Sequence, residues 1–157
     1  MAQITLAKAL KVKNRLAGRL AKVQADIQAF NSVPEGQADQ DNVPELLRTR
    51  EELVEALVGL KTAISDANRE AQRDIYDLTE KKATAQFLAG VNTRHGPHPP
   101  VYPSTVEVNY VAALKKADVD ALVARLESDI DQLQDRLDQF NHVHKIEVDG
   151  RTLELAS

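Results

Sequence analysis

Apolar residues recur at alternating spacings of three and four along three segments, and this repeat constrains the fold more than any other feature. In chain order the seams are Leu6, Ala9, Leu16, Leu20, Val23, Ile27 and Phe30, interrupted only by Lys13; Leu53, Leu57, Leu60, Ile64, Ala67 and Ala71; and Val119, Leu122 or Val123, Leu126, Ile130, Leu133, Leu137 and Phe140. Such spacing puts one apolar stripe on a helix face that packs against a neighbour. The sequence therefore predicts helices over about residues 5–31, 44–91 and 118–142, the first capped by Thr5.

Two segments separate these helices. Residues 31–43 contain Pro, Gly, Asn and Asp without periodic apolar residues, and residues 92–104 carry four of the six prolines. Both are predicted loops, because proline cannot continue a helix. Within the second helical segment only Gly59 interrupts residues 45–89. One helix or two are compatible with this pattern, and we favour a soft break near residues 68–77.

The remaining signals indicate a small β component. Apolar and polar residues alternate over residues 105–111, which predicts a short strand. Asp149-Gly150 lies between two apolar pairs, which predicts a hairpin over residues 144–155. Because an isolated hairpin is marginal in water, we expect it to pair with that strand. The predicted class is mainly α: an elongated antiparallel helical bundle or coiled coil with a small C-terminal β-hairpin, in a single domain over residues 1–157.

Composition narrows the function classes. The chain has no Cys, which excludes a disulfide scaffold, thiolate metal sites and cysteine nucleophiles. A net charge of −4 disfavours nucleic acid as a partner, and no apolar run approaches the roughly 18 residues of a membrane span. The sequence lacks GxGxxG, GxxxxGK[ST], GxSxG, HExxH and the Glu-x-x-His pairs of di-iron bundles. We therefore expect a cytoplasmic protein that is not an enzyme and has no membrane span.

The chain contains the loop NSVPEGQADQDNVPELL, followed later by ISDAN and DLTE. These stretches, together with the predicted order helix, loop, helix, helix, short strand and acidic helix, resemble the septicolysin-like family. That family consists of uncharacterised small bacterial helical proteins. The resemblance covers roughly residues 6–143. The Pro/His-rich loop and the C-terminal hairpin go beyond that pattern. The resemblance implies the helical fold and implies no activity.

One face of the first predicted helix is basic. Its residues are Lys8, Lys11, Arg15, Arg19 and Lys22, and no acidic residue precedes Asp26. A basic amphipathic helix can lie on an anionic membrane, bind phosphate or act as a targeting presequence. Residues 118–140 carry seven acidic residues against two arginines. The simplest interpretation is that the basic and acidic helices flank each other's seams.

All four histidines occur in two close pairs, His95/His98 in the proline loop and His142/His144 after the acidic helix. Imidazoles are ligands for zinc, copper or nickel, so these four residues are candidate metal ligands if the pairs meet. Solvated loop histidines are the simpler interpretation.

A second candidate site combines the proline loop with the basic stripe. Arg94, His95 and His98 in a stiff loop suit a phosphate-bearing small ligand, and Tyr102 and Tyr110 offer a stacking face for a base. Arg15 and Arg19 are added as candidates for contacts at a subunit interface. The alternative interpretation of the two tyrosines is that they pack the small sheet against helix ends.

Three functions remain open. The first is a non-enzymatic, self-associating helical scaffold or interaction protein, because narrow cores built from Leu, Ile and Ala favour a homo-oligomer. The second is a protein that binds or sequesters a small nucleotide-like anion at a subunit interface. The third is a histidine metal-binding protein. The sequence identifies no cofactor.

Overall fold

The computed structural model describes residues 1–36 and 42–157. Its elements are β1 (Ala2–Thr5), α1 (Leu6–Phe30), α2 (Val43–Asn68), a 3-10 turn (Arg69–Ala71), α3 (Gln72–Ala89), β2 (Gly96–His98), β3 (Val108–Tyr110), α4 (Lys116–Val143), β4 (Lys145–Val148) and α5 (Gly150–Leu155). The mainly α class is confirmed, with two small antiparallel two-stranded sheets. Residues 37–41 of the predicted first loop lie outside the described residues.

The chain, predicted as a single domain, divides into two compact units. Residues 1–72 and 138–157 form the first unit, and residues 73–137 form the second unit. Helix α4 contributes to both, since its last six residues belong to the first unit.

The first unit contains the main hydrophobic core. Helix α1 starts after Thr5, whose Oγ1 accepts a hydrogen bond from the backbone N–H of Lys8 at 3.2 Å, as an N-cap does. Helices α1 and α2 pack together, and late α1 residues line the same cleft as early α2 residues, so the two helices run antiparallel. The buried cluster is Ile4, Leu6, Ala9, Val12, Leu16, Leu53, Leu57, Leu60, Ile64, Ala67, Ile146, Val148 and Ala156. Val12 fills the seam position next to Lys13, which is only half-buried.

The predicted break in the second helical segment is confirmed. Helix α2 ends at Asn68, and the 3-10 turn Arg69–Ala71 leads into α3. The break coincides with the boundary between the two units, which lies after Gln72.

The C-terminal β element is present, but its pairing differs from the prediction. Strand β4 pairs antiparallel with the N-terminal strand β1, from Ala2 opposite Val148 to Thr5 opposite Lys145. The segment expected to form the second hairpin strand is helix α5 instead. The reason is local: Asp149 Oδ1 accepts a hydrogen bond from the backbone N–H of Arg151 at 3.0 Å, so Asp149 caps a helix rather than forming a hairpin turn.

Helix α5 is joined to α2 by Arg151. Its guanidinium donates to Glu52 at 2.8 Å and to Glu154 at 3.2 Å. The hydrogen bond with Glu52, followed by that with Glu154, raises the pKa of Arg151. This exposed ion pair accompanies apolar packing of the same segment, since Ala156 is buried in the core and Leu153 and Leu155 pack against it.

The second unit consists of most of α3, the β2–β3 hairpin and most of α4. The predicted strand over residues 105–111 is confined to β3, and it pairs with β2 rather than with the C-terminal segment. Instead of the predicted pairing of this strand with a C-terminal hairpin, the described residues form two separate two-stranded sheets, β1–β4 and β2–β3. Strand β2 lies inside the predicted proline loop, where Pro97 opposite Asn109 is tolerated because the pair has only two strands and each is an edge. Gly96, with φ of +87°, adopts the conformation that favours glycine.

Candidate functional site

A cleft of about 270 Å³ lies beside the β2–β3 hairpin of the second unit. Its lining residues are Arg94, His98, Pro99, Val101, Ser104, Val106, Val108 and Tyr110. Strand pairing places His98 opposite Val108 and Gly96 opposite Tyr110. Residues of β2 and residues of β3 therefore line the same cleft. The cleft combines one cation and two polar rings with an apolar floor, a composition common in small-ligand sites.

Tyr110 organises the polar side of this cleft. The guanidinium carbon of Arg94 lies 5.7 Å from the centroid of the Tyr110 ring, which is cation–π distance. The His98 ring meets Tyr110 edge-on, with centroids 5.2 Å apart and planes at 81°. The backbone N–H of Arg94 donates to Asn92 Oδ1 at 3.1 Å. Across the described chain no carboxylate forms an ion pair with the Arg94 guanidinium, so its hydrogen-bonding edge is open to an anion.

The loop histidines hold the backbone in different ways. His95 Nδ1 accepts the backbone N–H of Ala112 at 3.2 Å, so the neutral ring of His95 carries its proton on Nε2. His98 Nδ1 lies 3.2 Å from the carbonyl oxygen of Gly96, which favours the proton on Nδ1 and leaves Nε2 as an acceptor. His98 lines the cleft, whereas His95 holds the loop segment that follows β3 through the N–H of Ala112.

The remaining predicted ligand residues lie elsewhere. Of the two predicted tyrosines, Tyr110 lines the cleft, whereas Tyr102 is 94% exposed and is not among the lining residues. Arg15 and Arg19 belong to the first unit. Arg19 Nη1 donates to the carbonyl oxygen of Leu155, and Arg19 lines a different cleft of about 290 Å³. The structure therefore assembles Arg94, His98 and Tyr110 of the predicted set.

The second histidine pair has local partners of its own. His142 Nδ1 lies 2.7 Å from the carbonyl oxygen of Asp138. The His144 ring lies 4.8 Å from that of Phe140, and its Nδ1 is 3.9 Å from Glu70 Oε2. This pair belongs to the first unit, whereas His95 and His98 belong to the second. Over residues 1–36 and 42–157, no group of three or more His, Cys, Asp or Glu is arranged to hold a metal ion.

The second unit also exposes nine large hydrophobic residues, and we call this set its apolar surface. They are Tyr76, Phe87, Val101, Tyr102, Val106, Val108, Val111, Leu114 and Leu122. All residues of this unit are described, and its buried hydrophobic residues are Val119, Leu133 and Leu137. Helix α3 has no buried residue at all. The sequence pattern did not predict this exposure. The spacing of apolar residues shows which face of a helix or strand is apolar, but it does not show how much of that face is covered by other residues.

The basic stripe of α1 is exposed. Within the first unit, Lys8, Lys11, Arg15 and Lys22 form no ion pair with a described residue. The α1 face opposite the stripe packs on α2 in the core.

Comparison with known proteins yields no relatives: no family model matches the chain, and neither a curated protein nor a solved structure matches it. In the part of the chain that the structure describes, none of the helices combines the length and apolar character that crossing a bilayer requires.

Proposed function

We propose that this chain is a non-enzymatic interaction protein that self-associates through the apolar surface of its second unit. One observation carries the proposal: the second unit exposes nine large hydrophobic residues while it buries only Val119, Leu133 and Leu137. Large exposed apolar side chains in this number are typical of proteins that bind a partner.

The energetics favour covering this surface. Burial of a Val, Leu or Phe side chain contributes about 1.5–3 kcal/mol relative to leaving it in water. Helix α3 has an apolar seam that includes Ile75, Leu78 and Leu88, yet all three are only half-buried. Ion pairs between α3 and α4, Lys81–Asp129 at 3.7 Å and Arg136–Asp74 at 3.0 Å, are mostly exposed and contribute little. A second copy of the chain would supply the missing apolar contacts.

The test removes apolar side chains whose exposure makes them dispensable for folding of the monomer. In the triple variant Phe87→Ser/Val101→Ser/Val111→Ser, the three residues are 69%, 80% and 83% exposed in the wild type. We expect the mass in solution, measured by multi-angle light scattering, to fall from that of an oligomer to that of a monomer while the circular dichroism spectrum stays helical.

A matched control makes the same type of change in the first unit. Leu47→Ser/Val58→Ser/Val143→Ser alters residues that are 47%, 55% and 63% exposed, and it is expected to leave the oligomer intact. If the two triple variants have the same mass as the wild type, the apolar surface of the second unit is not the interface.

The open edge of Arg94 favours a second candidate, binding of a small nucleotide-like anion in the cleft beside the hairpin. A guanidinium held over Tyr110 and free of carboxylates can take a phosphate, with Tyr110 and His98 beside it. A ligand that binds only the folded chain stabilises it by about 2.7 kcal/mol at one hundred times its Kd. We expect ADP to raise the Tm of the wild type and of Arg125→Ala, an exposed arginine of the same unit, but not that of Arg94→Ala. An equal shift in all three would exclude Arg94 as a ligand residue.

The septicolysin-like resemblance supports membership of that family as a further proposal, and it bears on the order of helices alone. Capture of a metal by the four histidines is the remaining proposal from the sequence, and no specific contact favours it.

A further inference from the structure

A cleft of about 350 Å³ lies between α2 and α5 in the first unit, and a second cleft of about 200 Å³ adjoins it. Gly59, Asp149 and Thr152 line both clefts. All of the lining residues belong to the first unit, so the geometry of the two clefts is defined by that unit alone. Neither cleft shares a lining residue with the one beside the β2–β3 hairpin.

The hydroxyl of Thr152 forms no hydrogen bond with a described residue, although Thr152 is only 7% exposed. Other helical threonines satisfy this group, since Thr49 and Thr62 each donate to the carbonyl oxygen four residues earlier. Four residues before Thr152 lies Val148, which belongs to strand β4 and not to a helix.

The oxygen of this hydroxyl faces open space. Among the described residues, no polar side-chain atom is both sealed from solvent and without a partner. The Thr152 oxygen has no partner, so it is not sealed, and the open space that Thr152 lines is the pair of clefts. A nearly buried hydroxyl without a hydrogen bond is a group that a ligand can satisfy.

The clefts are lined by carboxylates. Glu55 lines the larger cleft, Glu147 lines the smaller one and Asp149 lines both. Within the first unit, none of these three forms an ion pair with a described residue. Arg151 also lines the larger cleft, but its guanidinium already has two carboxylate partners. The charge of the lining therefore favours a cation.

The wall that α2 contributes is apolar and has space at Gly59. Ala56, Leu60 and Ala63 line the clefts from the same helix. A Cβ atom at position 59 would have no neighbour within 4 Å, so the lack of a side chain there leaves room in both clefts. This wall suits the aliphatic part of a ligand.

We propose that these clefts bind an aliphatic ammonium ion, which donates a hydrogen bond to Thr152 Oγ1 and is attracted by the carboxylates of Glu55, Glu147 and Asp149. An ammonium group has only donors, and these oxygens accept. A metal ion fits less well, because no group of three or more His, Cys, Asp or Glu in residues 1–36 and 42–157 is arranged to hold one. The site is independent of the proposed self-association, which uses the second unit.

Isothermal titration calorimetry of the full chain with 1,4-diaminobutane at low ionic strength tests the proposal. Thr152→Val keeps the shape of the side chain and removes the hydroxyl, so it is expected to raise the Kd about tenfold or more. Thr152→Ser keeps the hydroxyl and is expected to bind like the wild type. 1,4-Butanediol has the same carbon chain without charge and is expected not to bind.

A second pair of variants tests the clefts from the α2 side. Gly59 and Gly18 are both exposed helical glycines at which a Cβ atom has no neighbour within 4 Å. Gly18 lies on α1 and lines neither cleft. Gly59→Leu is expected to abolish binding of the diamine, whereas Gly18→Leu is expected to retain it. This pair remains decisive if Thr152→Val does not fold, and circular dichroism checks all variants.

The outcomes are distinct. A wild type that does not bind the diamine, or equal Kd values for the wild type, Thr152→Val and Gly59→Leu, would overturn the proposal. Equal binding of the diol would overturn it too, because the clefts would then select the carbon chain and not the ammonium group. A lysine residue acetylated and amidated at its backbone is the second probe. If it binds more tightly than the diamine, the ammonium belongs to a protein partner, and if it binds more weakly, to a free amine; both results support the ammonium site.

Discussion

The guanidinium of Arg94 lies over the ring of Tyr110, 5.7 Å from its centroid. This contact joins the segment before β2 to the last residue of β3 and keeps a cation in place beside an apolar cleft. His98 meets the same ring from its edge. Tyr110 is therefore the residue that contacts both Arg94 and His98 in this hairpin.

The first prediction concerns this ring. Tyr110→Ala removes both ring contacts, each of which contributes about 0.5–1.5 kcal/mol in comparable pairs. We expect the β2–β3 hairpin to loosen. In NMR hydrogen exchange, the backbone amides at positions 98 and 110 are then expected to exchange faster than in the wild type. Tyr110→Phe keeps the ring and is the control; a hairpin equally loosened in both variants would show that the ring contacts are not what holds it.

The core of the first unit gives a prediction of stability. Leu16 on α1 is completely buried, so Leu16→Ala leaves a cavity and is expected to lower the free energy of unfolding by about 2–5 kcal/mol. Urea denaturation followed by circular dichroism measures this. The same substitution at Leu47, which is 47% exposed, is expected to cost much less, and equal losses at both sites would contradict the assigned core.

The cap of α5 gives a third prediction. Asp149→Ala removes the acceptor for the Arg151 N–H and is expected to destabilise the C-terminal helix by about 1 kcal/mol. Asp149→Asn retains an acceptor and serves as the control. The measurement is the ¹³Cα chemical shift of residues 150–155, which is helical in the wild type and the Asn variant and moves toward random coil in the Ala variant. Strand-like shifts in the wild type would instead support the hairpin.

The poorly covered helix α3 gives a fourth prediction. Because none of its residues is buried whereas α1 has four, α3 opens more easily than α1 in the monomer. Hydrogen exchange with mass spectrometry at low protein concentration is expected to show faster exchange over residues 72–89 than over residues 6–16. Raising the concentration is expected to slow exchange in α3. Exchange in α3 that is as slow as in α1 at every concentration would contradict the account.

The helices were predictable from the sequence because their seams repeat over many turns. The cap at Thr5 and the break before α3 were also predictable, since both depend on residues close in sequence. Strand β1 was not predictable, because Ala2–Thr5 is too short to show a period and the residues that it pairs with in β4 are at least 140 positions away. Asp149-Gly150 illustrates a true local ambiguity, because Asp favours both a hairpin turn and a helix cap.

Part of the candidate site was predictable from local sequence. Arg94 and His98 are distinguished by their residue type and by their position in a proline-rich segment. Which tyrosine faces them depends on the register of β2 against β3, and that register pairs Gly96 with Tyr110 while Tyr102 lies in the exposed connection. The extent of the apolar surface depends on packing that no local pattern encodes.

The most direct test of the central claim is the mass of the untagged wild-type chain by sedimentation velocity from 1 to 100 µM. The account predicts a defined oligomer, a multiple of the 17.3 kDa chain, that dissociates on dilution. A single 17.3 kDa species at every concentration would contradict self-association through the second unit.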